Sequence, residues 1–187
     1  MVPLLLVSLV MWSLIVERLI FFRRMYLSPL TPPEILSFIK RGISPTGKGA
    51  QGIGGIFVSE FLKNMRNRGV ADENLVNEVV LSLIHRLDRH LSLISTFASL
   101  APLLGLLGTT IGMVKTFDVI SVFGTGNARA LASGISEALI TTQTGLFIAI
   151  PGVYMSNFLQ HRSVKLKKTL TTLGIFLSRE LKDPGEM

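Results

Sequence analysis

One carboxylate stands where carboxylates are costly. Glu137 is the sole charged residue between Ala130 and Gln160, a run long and apolar enough to cross a bilayer as a helix. A charge at that depth costs roughly 2.5–3.5 kcal/mol on insertion scales. Lipid offers it no partner, so it must face other helices or water. Thr141, Thr142, Gln143 and Thr144 follow within two turns. Thr141 and Thr144, at i+4 and i+7, share the face of Glu137, whereas Thr142, at i+5, lies about 140° round an ideal helix. Either this helix presents a broad face to a path, or Glu137 and Thr142 meet different neighbours. A carboxyl held this way can take up and release protons. Hydroxyls and a carboxylate also suit sodium, a hard cation that prefers oxygen ligands. The plain structural alternative is a hydrogen bond from a threonine to Glu137 across a subunit boundary.

Composition narrows the classes. The chain has 187 residues, 48% of them hydrophobic, and a mean hydropathy of +0.51, too apolar for an ordinary soluble domain of this length. Cysteine is absent, which removes disulfides, thiolate metal sites and cysteine nucleophiles. The net charge of +7 does not point to nucleic acid. Of 19 Lys and Arg, only Lys115 and Arg129 lie between Leu91 and Gln160. The rest flank the apolar runs, as expected of cytoplasmic segments.

Three runs define the spans, and the fold class is an all-α membrane protein with three transmembrane helices. The first, residues 1–22, lacks a basic start and a cleavage site, so it reads as a helix rather than a signal peptide. It is short before Glu17 and Arg18, so the helix is expected to run on to Phe22 with that pair at the interface, the alternative being a chain that begins partway into the helix with an upstream segment missing. Arg18 is expected to snorkel to the interface, and Trp12 to be packed. The second span is 91–117 and the third 130–160. Gly108 and Gly112 form a GxxxG pair that lets backbones approach. Gly105, Gly145, Pro102 and Pro151 are assigned to packing with them, and Pro102 should kink its helix or have its freed carbonyl satisfied by a neighbour. Thr109 either bonds back onto its helix or lines a path.

Between the spans, residues 23–90 form a cytoplasmic helical region. Thr31-Pro32-Pro33-Glu34 starts a helix that Gly42 ends. Gly42-x4-Gly47-Lys48 resembles a phosphate loop, but Gly49 stands where Ser or Thr should hold magnesium and no strand precedes it, so a plain loop is expected. A helix over 56–67 ends at Gly69. Asp72 caps an amphipathic helix through Leu75, Val76, Val79, Val80, Leu83, Ile84 and Leu87, which should continue unbroken into the second span. His85 and His90 share no face, and no metal site is expected. Lys115, Asp118 and Arg129 mark a short connection on the periplasmic side, the loop proper being 118–129, with Gly124-Thr125-Gly126-Asn127 as its turn. Basic residues follow the third span, and Leu166, Leu170, Leu173 and Leu177 continue it as a cytoplasmic helix through 161–187. Pro184-Gly185 closes the chain. The second and third helices thus extend into the cytoplasm as long helices.

Two stretches resemble the MotA/TolQ/ExbB proton-channel family, its ExbB and TolQ branch in particular. They are Ala101-Pro102-Leu103-Leu104-Gly105-Leu106-Leu107-Gly108-Thr109-x-x-Gly112-Met113 and Ile135-Ser136-Glu137-Ala138-Leu139-x-x-Thr142-x-x-Gly145-Leu146-x-x-Ala149-Ile150-Pro151. The resemblance implies a bacterial inner-membrane homopentamer around a pore that holds single-span ExbD- or TolR-like partners. It implies that the proton-motive force is passed to TonB, or to TolA, across the envelope. The pore glutamate would be Glu137, and the polar ring residues Thr109 and Thr142. The branch favours protons over sodium, and no organic cofactor or bound metal is implied. Gln143 and Thr144 depart from the small apolar residues of many relatives, and the N-terminus is short. An enzyme is not expected, because no nucleophile–base set, metal motif or complete phosphate loop is present. A passive membrane scaffold is the competing class.

Overall fold

Long apolar stretches satisfy their backbone groups within themselves only as helices, and every regular element described is helical. The computed structural model describes residues 2–26, 30–50, 52–68, 72–124 and 128–182, with Lys48, Gly49, Arg68 and Ala130 described by their backbone alone. The helices are α1 Val2–Met25, α2 Pro32–Arg41, α3 Ile53–Arg68, α4 Glu73–Asp88, α5 Leu91–Phe123 and α6 Ala128–Lys182. A 3-10 turn, Gly47–Ala50, lies where the phosphate-loop resemblance falls. Three helical runs are long and apolar enough to cross a membrane: Val2–Met25, Glu73–Phe123 and Leu131–Lys182. The breaker Gly69, the turn residues Thr125 to Asn127 and the closing Pro184-Gly185 lie outside the described residues.

Several boundaries differ from the sequence expectation, each for a local reason. The helix expected to pass unbroken from α4 into α5 is interrupted by a turn at Arg89 and His90. His90 adopts φ 64°, ψ −10°, a left-handed conformation that no neighbouring glycine or proline announces. α5 runs past residue 117 to Phe123, so Asp118 belongs to a helix rather than to the loop. Gly124 then ends it at φ 70°. α3 begins at Ile53 rather than Ile56, because Gly54 packs against Ile35 and Leu30.

The chain divides into two compact units, Met1–Glu17 with His90–Phe158, and Arg18–Arg89 with Leu159–Met187. In the first, Leu4, Met11 and Ile15 of α1 are buried, as are Ile94, Ala98 and Ala101 of α5 and Ala138, Ile148 and Ala149 of α6. The remaining span surface is apolar and open: Phe147 is 80% exposed and Ile150 70%. Such a surface suits hydrocarbon rather than water. Trp12, at 42% exposed, is on this surface and not packed within the chain.

In the second unit the leucine stripe of α6 is buried at Leu166, Leu170, Leu173 and Leu177. It alternates steps of four and three, the seam spacing of paired helices. Leu75, Val76, Val79, Leu83 and Leu87 of α4 are buried in the same unit, and Gly174 brings α6 onto Val80 of α4. The stacked rings of Phe57 and Phe61 on α3 and Ile35 of α2 complete this core. Asp88 receives hydrogen bonds from Ser163 and Lys167. Arg18 does not snorkel. It is 3% exposed, donates to the Arg86 carbonyl at 3.2 Å and stands over the Phe21 ring. A bare carbonyl at the end of α4 gives a buried guanidinium the acceptor it needs.

The start of α2 is a titratable cap. The Thr31 backbone N–H donates to Glu34 Oε2 at 2.9 Å. That bond first, and then one with the Thr31 side chain, holds the Glu34 carboxyl below its ordinary value. A lowered value means the contribution is fully present above the ordinary carboxylate value and is lost as pH falls from there through the lowered one. Taking the pH below 4.5 is expected to lower the protection of the Thr31 and Ile35 amides, after correction for intrinsic exchange, and to do so less in Glu34→Gln. An equal change in both proteins would remove the carboxylate from the cap.

Candidate functional site

The site is built on two helices that touch along their backbones. α5 and α6 run antiparallel, and at each level one of them carries a small residue. A Cβ placed on Gly145 would lie 2.8 Å from the Ala101 carbonyl oxygen and 3.0 Å from Gly105 Cα. On Gly112 it would lie 2.7 Å from Ala138 Cβ. On Gly108 it would overlap the Thr141 methyl, and on Gly134 the Thr116 hydroxyl. On Gly152 it would lie 2.7 Å from Met11 Sδ and 3.2 Å from Ala98 Cβ, so α1 joins the pair at that level. Only glycine permits such approach. Pro102 and Pro151 lie inside the two helices.

The threonines read from the sequence do not share one setting. Thr141 is buried in the notch of Gly108 and donates to the Glu137 carbonyl at 2.9 Å. Thr142 donates across the pair to the Gly105 carbonyl at 3.0 Å. That is the carbonyl which, in an α-helix, already receives the amide of Thr109. Thr109 turns back onto its own helix, to the Leu106 carbonyl at 2.7 Å, as Thr144 does to Ile140 at 2.8 Å. The hydroxyl protons of all four are therefore committed to carbonyls, which leaves oxygen lone pairs as what the threonines offer.

Glu137 is exposed, together with Ser136 and Gln143. Thr142 faces α5, and Glu137 stands toward the other edge of α6, so the two meet different neighbours. Glu137 lines a cleft of about 250 Å³ with Thr141 from α6 and Gly108, Gly112, Lys115 and Thr116 from α5. Among the described residues no three His, Asp or Glu side chains gather to hold a metal. Sequence reasoning missed Gly134, Gly152 and Thr116 as parts of this arrangement. The signal for the first two was present: Gly134, Ala138, Thr141, Gly145 and Gly152 recur along α6 at helical spacing, a stripe of small residues like that on α5.

With this geometry in hand, comparison with known proteins is direct. Residues 51–172 match the MotA/TolQ/ExbB proton channel family, and the chain belongs to that family. A putative biopolymer transport protein, ExbB-like 1, from Synechocystis sp. is 48% identical over 68 residues, 35% of this chain and 27% of that protein. The biopolymer transport protein ExbB of Aquifex aeolicus is 42% identical over 73 residues, 39% of this chain and 49% of the relative. The Tol-Pal system protein TolQ of Haemophilus influenzae is 29% identical over 171 residues, 83% of this chain and 75% of that protein. The chain therefore spans half or less of the length of the two ExbB-type relatives it matches. Family and spans together make it a multi-pass membrane protein of the ExbB/TolQ type.

The seam makes two predictions. Gly145→Ala forces the two backbones apart and is expected to cost about 1–3 kcal/mol, read as a lower midpoint of unfolding in detergent. Gly54→Ala, which meets the flexible end of Ile35, should cost less, and the reverse order would contradict the seam. Thr142→Val removes one interhelical hydrogen bond and should cost about 0.6 kcal/mol, the average for such bonds in a membrane protein.

Proposed function

We propose that this chain is the ion-path subunit of an inner-membrane motor, with protons as the ion and Glu137 as the group that carries them. The observation behind this reading is the single carboxylate of the third span, exposed on a cleft at span depth, in a chain of a proton channel family. Thr109, Thr141, Thr142 and Thr144 are assigned to the same path. Their committed hydroxyls can accept hydrogen bonds from water but donate none further. The chain works as a homo-oligomer, a pentamer by its resemblance, in membrane lipid. Its partners are a single-span ExbD- or TolR-like protein and an energy transducer of the TonB or TolA kind. Neither an enzymatic step nor a cofactor enters this reading.

Within the branch we favour energising of TonB-dependent outer-membrane transport, on the ExbB-type identities across the two motif helices. The Tol reading has its own support, since the TolQ relative aligns over 83% of the chain. A passive scaffold would use the same threonines only as glue between helices.

The test uses cells lacking their own system and expressing this chain with an ExbD-like partner. Wild type should restore ion-gradient-dependent uptake through an outer-membrane receptor. Glu137→Gln, which keeps the shape and hydrogen-bonding capacity and removes the charge, should fall to the level of cells without the chain while co-purifying with its partner equally. Full uptake in Glu137→Gln would favour the scaffold and end the assignment of Glu137. Rescue of envelope integrity without rescue of uptake would move the chain to the Tol side.

A further inference from the structure

The two spans carry one cation and one anion at the same level. Lys115 lies between Gly112 and Thr116 on α5, and Glu137 between Gly134 and Ala138 on α6. The close pairs Gly112–Ala138 and Thr116–Gly134 bracket them. Both line the cleft of about 250 Å³. Both are exposed, and neither is in an ion pair among the described residues. The remaining polar groups of the cleft are the hydroxyls of Thr116 and Thr141, whose protons go to the Gly112 carbonyl at 3.0 Å and the Glu137 carbonyl at 2.9 Å.

We propose that Lys115 sets the ion specificity of the path, as an ammonium on the same cleft as Glu137 that keeps metal cations from the carboxylate and leaves the proton as the ion it takes. This rests on the reading of Glu137 as the ion-carrying group. Without Lys115 the cleft would suit sodium well: one carboxylate and two hydroxyl oxygens with free lone pairs make a hard-cation site. An ammonium has three donors and no acceptor, so it adds no ligand to a metal. Its charge opposes a second full cation held on the same cleft at span depth. A proton escapes this opposition because it is passed along water to the carboxylate and leaves a neutral acid, with no free cation resting in the cleft. The ordinary reading of such a lysine is snorkelling of its head toward the interface, in which case its charge would not bear on what Glu137 binds.

The experiment uses sealed membrane vesicles carrying the chain with its single-span partner. Proton entry is read with a pH-sensitive dye and sodium entry with radioactive sodium, for wild type, Lys115→Gln, Lys115→Arg and Glu137→Gln. Equal recovery of the complex by size-exclusion chromatography shows that each variant assembles. Wild type and Lys115→Arg should pass protons and little sodium. Lys115→Gln should raise the ratio of sodium to proton flux by about tenfold or more, and added sodium should now slow its proton entry. A ratio unchanged in Lys115→Gln, with proton flux intact, overturns the role of Lys115 alone, as does a wild type that passes sodium as readily as Lys115→Gln. Proton flux that is absent in wild type, or undiminished in Glu137→Gln, overturns the ion-path reading and this inference with it.

Discussion

Backbones in contact leave no space for side chains between them, and this constraint between α5 and α6 governs the rest of the spanning region. Hydrocarbon gives apolar helices no reason to associate. What remains is the closeness of contact that small residues allow, and hydrogen bonds such as that from Thr142 to the Gly105 carbonyl. Gly105 and Gly145 place the two main chains against each other, and every other position along the pair inherits its register from that contact. The level of Glu137 relative to Lys115 is one such inheritance. So is the burial of Thr141, whose methyl fills the space that Gly108 leaves.

The same constraint explains how polar atoms are distributed at span depth. Hydroxyls on a close seam cannot reach water, so they bond to carbonyls of their own helix or the next. Glu137 has no such option, because a carboxylate has no proton to give to a carbonyl. It stands at the edge of the seam instead, exposed on the cleft. Segregation of this kind lets one pair of helices be tightly packed on one face and carry an ionisable group on its margin.

Much of this was legible in the sequence, where the signal is local. The spans follow from hydropathy, and the Asp72 cap follows from residue type: its Oδ1 accepts the Leu75 amide at 2.9 Å. Gly42 ends α2 at φ 66°, and the leucine stripe of α6 follows from spacing. Features that depend on a distant neighbour were not legible. Arg18 looks like an interfacial residue until the Arg86 carbonyl is placed beside it. The turn at His90 carries no glycine or proline, so nothing nearby interrupts the helical pattern. For the candidate site, residue types and helix faces were readable, but the pairing of levels was not. Lys115 was readable as a charge near the outer end of its span, but not as one level with Glu137.

The crossing of α1 over the seam has a consequence in redox terms. Met11 is fully buried, with its sulfur in the space facing Gly152. Adding an oxygen to that sulfur would turn a soft apolar atom into a polar one, where two helices already leave no room. The assembled helices therefore shield this thioether from peroxide. Oxidation of Met11 therefore records that the three helices have separated, a chemical mark of unfolding written into the chain itself.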